Sequence, residues 1–477
     1  MKELVSRFLK FSIGSLGAAV LNLMLIPLTT HFLSPTEYGK TSLFFLLQTF
    51  LIYIIYFGFD QAFTREFHEY PDKKKLLLNA MIFPFMQSVG LILILCLFAP
   101  FLSSIFFHNP HDTMPFYLLA VFIVVSIFER FIFLYVRMEN QAIRFSFYNI
   151  MVKATILIGT GIALMLFSAN YLTVLYGMLI GQIIGDLLLI AMNGRLFTWK
   201  GFQLDLSLLN RMAKFGIPIV VATLIYGVFL TLDRVFLMHY LDYKELGLYT
   251  AAYKIASALL ILQVSFSNFW IPTAYEWHKQ KKPMRYYKMT SDAVMLAASI
   301  FFLLLLFFKK WIIVILSPEY MEAQFIFPFL CFYPLMMMVS ETTTLGIVFK
   351  KKSYLNIVVS IVSLIASIAL YIWLTPILGV MGIAIAVGTA FIVYFFARTI
   401  LSMMIWKGFS VKKHVVTIIL MYAVCLYDVF GKQSYVQEIV VLGTIIILLA
   451  LYRNIVMHII YQLTQISTRK KKGNDMI

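Results

Sequence analysis

The chain has 477 residues, of which 61% are hydrophobic and only 13% are charged, and its formal net charge is +17. Soluble domains average about 45–50% apolar and about 25% charged residues, so this composition excludes an ordinary soluble protein and indicates a surface that faces lipid. The basic excess could suggest a nucleic-acid partner, but its placement between apolar stretches favours a role in membrane topology.

Apolar stretches recur along the whole chain. Each is long enough for a helix that crosses a bilayer, which needs about 20 mostly apolar residues. The first stretch is too long for a removable signal peptide and runs on into the chain after it, so we take it as the first span. We therefore predict an all-α, polytopic membrane protein with about 14 transmembrane helices. In chain order the predicted spans are 11–31, 40–59, 77–102, 113–136, 147–167, 171–192, 214–234, 247–268, 290–308, 324–345, 354–374, 381–401, 412–430 and 436–460.

Lysine and arginine cluster in every second gap between these spans. When basic residues at span ends are counted with the adjoining gap, this side and both termini together hold 29 Lys and Arg residues, whereas the opposite side holds 6. Because basic loops stay in the cytoplasm, this asymmetry predicts that both termini are cytoplasmic. Basic runs on this side, at 350–352 and 469–472, would also attract anionic lipid. Every gap is short, which leaves no room for a soluble catalytic domain.

Two outer turns share a sequence pattern. HFLSPTEYGKTSL begins at His31 and HYLDYKELGLYTA begins at His239, and an offset of 208 residues aligns 4 identities. Each turn joins the first and second spans of a six-span set, so the two sets have the same orientation and a pseudo-axis along the membrane normal. We therefore predict a six-helix lobe at 1–205, a second at 206–405, and two additional helices with a basic cytoplasmic tail at 406–477.

The residues of these turns are expected to have structural roles. Pro35 ends or kinks a helix, and Ser34 or Thr36 can cap the next one. Gly39 and Gly247 allow tight turning or close contact between helices. We do not expect these residues to bind a ligand.

The first turn, with its Glu-Tyr-Gly motif at 37–39, resembles the short outer turns of polysaccharide biosynthesis membrane proteins. The segment at 232–257, LDRVFLMHYLDYKELGLYTAAYKIAS, is also similar to the pattern of that family, with matches at Asp233, Gly247, Tyr249, Ala252 and Lys254. The family includes O-antigen flippases of the Wzx type and belongs to the multidrug/oligosaccharidyl-lipid/polysaccharide exporter superfamily. The resemblance covers nearly the whole chain through span number, half-length repeat and orientation.

The resemblance implies a flippase of the bacterial plasma membrane, not an enzyme. Its cargo would be an oligosaccharide linked through pyrophosphate to a polyprenyl lipid, moved from the cytoplasmic to the outer leaflet by alternating access between two lobes. The mechanism would be driven by an ion gradient and need no cofactor; proton and sodium both remain open as the coupling ion. The expected partners are the lipid-linked oligosaccharide, membrane lipids and other membrane proteins of polysaccharide assembly, with no nucleic acid.

Basic residues inside the predicted spans are the candidate cargo-binding groups. Each costs roughly 2.5–3.5 kcal/mol at a helix centre, so it usually lines a cavity or finds a partner. A pyrophosphate would accept hydrogen bonds from such a group. We select Lys254, about 10 Å into the eighth span, and also Arg130, Lys153 and Arg234. Glu129 adjoins Arg130 but lies on another face of the helix. The alternative for Lys254 is an internal ion pair or a snorkelled side chain, and for Arg130 and Lys153 it is snorkelling. For Arg234, near a helix end, the alternative is interfacial anchoring.

Several charged residues are candidates for a gate or for ion coupling. Asp186 and Glu341 are isolated in apolar sequence, where an unpaired carboxyl can take up and release a proton. The alternative is that each pairs with a membrane Lys or Arg. Asp60 and Arg65 end the second span and are expected to shape an inner gate, and Asp233 lies near the outer end of the seventh span.

Other motifs do not indicate catalysis or metal binding. The three cysteines lie inside apolar stretches without metal-ligand spacing, and the histidines show no such spacing either. Gly39, Lys40 and Thr41 resemble the end of a phosphate-binding loop, but Ser34 stands where that motif needs another glycine. We therefore predict no catalytic residue and no metal site.

Four other functions remain open. A lipid II flippase has a closely similar layout, whereas a multidrug antiporter of the same superfamily usually has two fewer spans. A polyprenyl-linked glycosyltransferase or polymerase would need a substantial loop with catalytic acids, which the short gaps do not provide. A passive membrane scaffold is disfavoured by the cations inside the spans, namely Lys254, Arg130 and Lys153.

Overall fold

The computed structural model describes residues 2–198, 202–352, 354–406, 408–431 and 436–458. Every regular element within these ranges is a helix, which confirms the all-α prediction. The basic run predicted at 469–472 and the end of the last predicted span lie outside these ranges.

Long helices alternate with short connections throughout the described ranges. Two short 3-10 helices, Gly194–Phe197 and Pro318–Tyr320, lie between α-helices. In chain order the α-helices are α1 (Lys2–Thr30), α2 (Pro35–Tyr56), α3 (Phe59–Glu66), α4 (Lys73–Leu97), α5 (Ala99–Phe107), α6 (Met114–Met138), α7 (Ala142–Leu166), α8 (Tyr171–Met192), α9 (Leu206–Tyr240), α10 (Tyr243–Ser257), α11 (Leu260–Lys279), α12 (Met284–Phe307), α13 (Lys309–Ile313), α14 (Ala323–Leu330), α15 (Phe332–Thr343), α16 (Leu345–Phe349), α17 (Leu355–Leu378), α18 (Val380–Ile405), α19 (Lys412–Phe430) and α20 (Val436–Leu451).

The predicted spans fall on these helices. Among the described residues, 11 helical segments are long and apolar enough to cross a membrane, and Leu16–Thr30 and Val436–Leu451 are shorter apolar helices. The remaining predicted span, 214–234, lies inside α9. The span predicted at 324–345 is divided between α14 and α15, because Pro334 has no N–H to donate to the carbonyl one turn earlier.

Large apolar side chains cover the outside of the molecule. Met86 is 70% exposed, Leu97 74%, Met165 84% and Trp311 76%. So extensive an apolar surface is unusual for a soluble monomer and fits contact with the hydrocarbon of a bilayer. The chain is a multi-pass membrane protein.

The chain divides into two compact units. Unit 1 comprises Met1–Lys254 and Leu316–Tyr320, and unit 2 comprises Ile255–Ile315 and Met321–Ile477. The lobe boundaries expected at 205 and 405 stay a prediction.

Unit 1 has an aromatic core between α2, α3 and α6. Phe44 and Phe116 are fully buried with ring centroids 5.5 Å apart, and Phe63 meets Phe131 at 5.7 Å. α7 and α8 approach so closely that a Cβ on Gly181 would lie 2.6 Å from a backbone oxygen of α7. This close packing fixes the positions of the polar side chains on α6, α7 and α8.

A sharp break after α2 positions the first charged residues. Phe57 and Gly58 have φ angles of 44° and 75°, and glycine adopts the second of these without a steric penalty. The chain then enters α3, which buries Phe59, Asp60 and other residues of one face. A Cβ on Gly58 would lie 2.6 Å from the carbonyl oxygen of Gly216, so this break packs directly against α9.

Asp205 fixes the start of α9 on the cytoplasmic side predicted from the charges. Its carboxylate accepts hydrogen bonds from the Ser207 hydroxyl at 2.7 Å, the Leu208 amide at 3.0 Å and the Tyr70 hydroxyl at 3.0 Å. These hydrogen bonds, with that of Ser207 foremost, lower the pKa of Asp205 to about 2. The Asp205 amide in turn donates to the Asn79 side chain of α4 at 2.9 Å, which links the start of α9 to α4.

Unit 2 is built around α14 and α15, whose residues are almost all buried. α15 packs against α11, α12 and α18. The buried rings of Trp270 and Tyr287 lie 6.4 Å apart in a T-shaped contact on the α11 side. α17 and α18 form a helical hairpin at Gly379, whose φ of 58° suits glycine.

The two repeated turns meet each other within unit 1. A Cβ on Gly39 would lie 1.9 Å from the carbonyl oxygen of Tyr243, and a Cβ on Gly247 would lie 1.9 Å from that of Pro35. The 208-residue offset relates Pro35 to Tyr243 as it relates the two glycines. Each glycine therefore packs against the first residue of the other repeat's helix, and the prediction of close helix contact at these glycines is confirmed.

Other residues of the repeated turn hold the helix ends, as predicted. The Ser34 hydroxyl accepts a hydrogen bond from the Glu37 amide and caps α2, with Pro35 in the first turn. The Glu37 carboxylate accepts from the Tyr171 amide at 2.7 Å, and so caps the first turn of α8. Lys40 lies 4.6 Å from the Tyr171 ring centroid, which completes the junction of α2 and α8.

Gly39→Ala is expected to destabilise the protein, because the added methyl group would overlap the Tyr243 carbonyl and force α2 and α10 apart. Overpacking of this kind typically costs about 1–3 kcal/mol. Thermal unfolding of the purified protein in detergent should show a lower Tm. Gly247→Ala should have a similar effect, because its contact is the reciprocal one.

Gly90→Ala is the matched control for these two substitutions. A Cβ on Gly90 would meet nothing within 4 Å, although this glycine also lies inside a long helix. Alanine there should leave Tm unchanged or raise it, since it is the better helix former. A Tm that falls equally in all three variants would contradict the steric explanation.

Candidate functional site

Ionisable side chains inside the helices form separate groups in the described part of the chain. Those of unit 1 lie at the outer turns, at the α3 break and between α6, α7 and α8. Those of unit 2 lie on α12, α13, α15, α18 and α19. Ion pairs, cation–π contacts and hydrogen bonds hold the members of each group together.

Asp233 and Arg234 form a closed network near the outer end of α9. The Arg234 guanidinium lies 3.2 Å from the Asp233 carboxylate and 4.2 Å from the Tyr253 ring centroid. The Tyr249 hydroxyl donates a short hydrogen bond to the other carboxylate oxygen of Asp233. Arg234 is only 9% exposed and Asp233 only 2%. Both charges are therefore neutralised locally, as expected of groups that hold α9 against α10.

Lys254 lies on the same helix as these tyrosines and reaches α2. Its ammonium is 4.9 Å from the ring centroid of Tyr38, a cation–π contact. Tyr38 is 1% exposed, and its hydroxyl has no hydrogen-bond partner among the described residues. Its ring also packs edge-on against Tyr320, with centroids 5.9 Å apart. We call Lys254, Tyr38 and Tyr320 the Lys254 group.

Arg130 pairs with Asp60 across 70 residues of sequence. Both Nε, at 3.1 Å, and Nη2, at 2.5 Å, donate to the same carboxylate oxygen. The guanidinium also lies 5.6 Å from the ring centroid of Tyr56, whose hydroxyl donates to a carbonyl oxygen of α6. This pair ties α6 to the break after α2. The Arg130 side chain is nevertheless 41% exposed, so part of it remains accessible.

Arg65 lies at the other end of α3 from Asp60. Its guanidinium is 4.5 Å from the ring centroid of Phe215 on α9, and its side chain is exposed. The structure therefore places Asp60 and Arg65 on one short helix, the first buried in an ion pair and the second on the surface. Their assignment to an inner gate stays a prediction.

Lys153, Asp186 and Glu129 meet between α6, α7 and α8. Lys153 interacts electrostatically with both carboxylates. Gln182, one turn from Asp186 on α8, donates to Asp186 at 3.3 Å and also hydrogen-bonds Glu129. Asp186 is fully buried, and its second carboxylate oxygen has no hydrogen-bond partner among the described residues. We call these four residues the Asp186 group.

Glu341 pairs with Arg398 inside unit 2, at 3.0 Å. Arg398 also donates to the Ser340 hydroxyl at 2.8 Å, and Trp270 donates to the backbone oxygen of Glu341 at 3.1 Å. The sequence alternative that Glu341 pairs with a membrane Lys or Arg is therefore confirmed. Arg398, which the charge pattern assigns to topology, holds α15 against α18.

Sequence reasoning missed two further polar contacts in unit 2. Lys309, assigned to an outer turn, is buried and forms an ion pair with Asp428 of α19. His414 lies with its ring 2.9 Å from the Ser291 hydroxyl and 3.8 Å from the Asp292 carboxylate. Asp428, His414 and Asp292 all lie inside predicted spans, so a full count of ionisable residues within spans would have identified them.

Two apolar cavities among the described residues do not contain the predicted cations. A groove of about 720 Å³ lies between α7 and α8, with Ile158, Ile162 and Ile180 in its wall. A smaller one of about 490 Å³ lies between α18 and α19. Neither is lined by Lys254, Arg130 or Lys153, which the structure places in separate groups. A central cavity that all three share stays a prediction.

The described residues contain no group of three or more His, Cys, Asp or Glu side chains that could hold a metal ion. Cys96, Cys331 and Cys425 are all free thiols in the structure, the first exposed and the other two buried. The chemistry of the described groups is therefore that of charge pairing and hydrogen bonding.

Comparison with known proteins gives a consistent result. The sequence profile of the family described as "Polysaccharide biosynthesis protein" matches residues 8–278. Among curated proteins no sequence matches the chain. The sequence resemblance to polysaccharide biosynthesis membrane proteins is thereby confirmed.

Solved structures with a similar fold are membrane transporters. The lipid II flippase MurJ in an inward closed conformation superposes with a TM-score of 0.70 at 15% identity, over 94% of this chain and 99% of that one. A multidrug resistance MATE family transporter of the MOP superfamily gives a TM-score of 0.62 at 14% identity in its inward-facing conformation, over 81% and 94% of the two chains. Its outward-facing counterpart gives 0.57 at 15% identity, over 83% and 93%. The likeness shows the fold.

Lys309→Met is expected to destabilise the protein, because Asp428 would be left as an unpaired charge inside unit 2. Removing one partner of a buried pair costs about 3–5 kcal/mol. The double variant Lys309→Met with Asp428→Leu should recover most of the loss, since no charge then remains buried. Thermal unfolding in detergent measures both effects.

Lys310→Met is the control for this pair, because Lys310 is adjacent in sequence but exposed. It should leave Tm nearly unchanged. If the double variant were no more stable than Lys309→Met alone, the burial of a charge would not be the cause of the loss.

Proposed function

Because the chain belongs to the polysaccharide biosynthesis protein family, we propose that it is a flippase for a polyprenyl-pyrophosphate-linked oligosaccharide, such as the repeat unit of an O-antigen or capsule. It moves the saccharide from the cytoplasmic to the outer leaflet of the bacterial inner membrane. Both termini lie in the cytoplasm, as the distribution of Lys and Arg predicts. Its partners are the lipid-linked oligosaccharide, membrane lipids and other membrane proteins of polysaccharide assembly.

The proposed cargo requires a sheltered polar path. A sugar-pyrophosphate is hydrophilic and anionic, and its transfer into hydrocarbon without hydrogen bonds is prohibitively costly. Protein cations and hydroxyls along the path would replace the water that the headgroup loses. The polyprenyl tail has no such requirement and stays in lipid. A chain with ionisable groups inside its helices can line a path for the headgroup, and its apolar exterior leaves the tail in contact with lipid.

The Lys254 group is the observation that supports this function best. It lies where the two repeats meet, since Tyr38 belongs to the first turn of α2 and Lys254 to α10. Lys254 offers a positive charge, and the buried hydroxyl of Tyr38 beside it has no described partner. A phosphate oxygen could accept from both groups. Arg234 pairs with Asp233 at 3.2 Å, so we assign it a positioning role beside this site.

Alternating access gives the reciprocal glycine contact a mechanical role. In this proposal the contacts of Gly39 with Tyr243 and of Gly247 with Pro35 close the outer side, and separation of the two turns opens it. Backbone atoms make the contact directly, so it can close tightly without long side chains that would have to reorder. The Asp60–Arg130 pair and Arg65 would serve the inner gate, because they lie on or against the α3 break.

A second candidate is a lipid II flippase. It is favoured by the superposition on MurJ, which includes 94% of this chain, whereas the multidrug transporters include 81–83%. Both lipid-linked candidates need the same sheltered path for a pyrophosphate headgroup. The difference lies in the saccharide, so the accumulated intermediate distinguishes them.

Deletion of the gene is expected to trap the cargo on the cytoplasmic leaflet. Mass spectrometry of extracted polyprenyl lipids should then show accumulation of one saccharide, and surface glycan should fall. Accumulation of lipid II would support the second candidate. Normal surface glycan with no accumulated lipid-linked saccharide would falsify both.

Lys254→Ala is expected to lower export about tenfold or more. A hydrogen bond to a charged group is worth about 1.5–3 kcal/mol, and about 1.4 kcal/mol corresponds to a factor of ten. Surface glycan in a complemented deletion strain measures the effect at equal protein level. Lys254→Arg should retain more activity, since it keeps the charge.

Lys244→Ala is the matched control, because Lys244 lies on the same helix but is exposed. It should export normally. Full export by Lys254→Ala would remove Lys254 from the proposed cargo site and leave the family assignment intact.

A further inference from the structure

The Asp186 group contains a carboxylate oxygen that the fold does not satisfy. Asp186 is fully buried. It lies six residues before Met192, the last residue of α8, which is about 9 Å along the helix axis at 1.5 Å per residue. One of its oxygens accepts from Gln182 at 3.3 Å, and the other has no hydrogen-bond partner among the described residues. An ionised carboxylate with an unpaired oxygen is a costly arrangement in a membrane interior.

The charges around Asp186 come from each helix packed against α8. α6 supplies Glu129 and Arg130, and α7 supplies Lys153. α2 contributes Glu37 and Lys40, but these contact Tyr171 at the opposite end of α8, about 22 Å away along the helix. The local balance therefore depends on Glu129, Arg130 and Lys153.

The local charges do not sum to zero. Arg130 is neutralised by Asp60, with which it makes two hydrogen bonds. Lys153 remains as the positive partner for both Glu129 and Asp186. If both carboxyl groups were ionised, the group would hold one negative charge in excess, so it needs one more positive charge to be neutral.

We infer that Asp186 is a proton-binding site, and that a single proton on its unsatisfied oxygen neutralises the Asp186 group. Asp186 is the stronger candidate of the two acids because one of its carboxylate oxygens is buried without a hydrogen-bond partner among the described residues.

The position of this site suggests how a proton could be coupled to transport, a role that rests on the proposed flippase function. Loss of the proton makes Asp186 compete with Glu129 for Lys153. Glu129 precedes Arg130, whose ion pair holds Asp60 at the α3 break. That break packs against Gly216 of α9, and α9 is the first helix of the second sequence repeat. A change of pairing at Asp186 is therefore linked to a helix of the other repeat through α6, which carries both Glu129 and Arg130, and through the Arg130–Asp60 ion pair.

Infrared difference spectroscopy of the purified full chain in lipid nanodiscs tests the site without any cargo. Wild-type protein at neutral pH should show the C=O band of a protonated carboxyl, which shifts in D2O. Asp186→Asn should lose this band, and Asp186→Glu should keep one at a changed frequency. Absence of the band in wild type, or its persistence unchanged in Asp186→Asn, overturns the inference.

Asp72→Asn is the matched control. Asp72 is an exposed helix cap, and asparagine caps a helix about as well, so the band should remain. If Asp186→Asn does not fold, the frequency difference between wild type and Asp186→Glu identifies the residue instead; an identical frequency overturns the assignment.

A band that sodium chloride removes at constant pH, where potassium chloride does not, overturns the assignment to a proton and identifies sodium as the ligand. Because no cargo is present, an error in the proposed cargo cannot produce any of these results.

Discussion

A charge inside a bilayer has no water to solvate it, and this constraint organises the interior of the molecule. Three ion pairs meet it by joining residues that are far apart in sequence: Arg130 with Asp60, Arg398 with Glu341, and Lys309 with Asp428 lie 70, 57 and 119 residues apart. Each pair fixes one helix against another, so the need for neutrality also specifies which helices are neighbours. In the Asp186 group, by our inference, the charges of the described side chains leave this balance incomplete without a bound proton.

The repeated outer turns impose a second constraint, one of distance. Gly39 and Gly247 bring the starts of α2 and α10 into backbone contact. The two glycines occupy equivalent positions in the two repeated turns. The Lys254 group lies beside this contact and includes a tyrosine from the same turn of α2. A substrate group held by Lys254 would therefore be held close to the surface on which the two repeats meet.

Much of the fold is predictable from the sequence because its signals are local. Span positions follow from runs of apolar residues, and the turn pattern predicts both the Ser34 cap and the glycine contact. The candidate site is less predictable because pairing depends on which helix faces meet. Hydropathy assigns Lys309 to an aqueous turn and Arg398 to topology, although each has a buried partner on another helix. Lys254, Arg130 and Lys153 look alike in the sequence, since each is a basic residue inside a predicted span. They lie in three different groups, because charge and depth in the membrane do not specify towards which neighbouring helix a side chain points.

The Lys309–Asp428 pair bears on the last two helices, which the sequence repeat leaves outside both lobes. One partner lies at the start of α13, within the second repeat, and the other lies near the end of α19. A chain truncated before α19 would leave an ammonium group stranded where its counter-charge used to be. α19 is thus not a detachable element: Lys309 and Asp428 depend on each other, and removing either one alone leaves a buried charge without its partner.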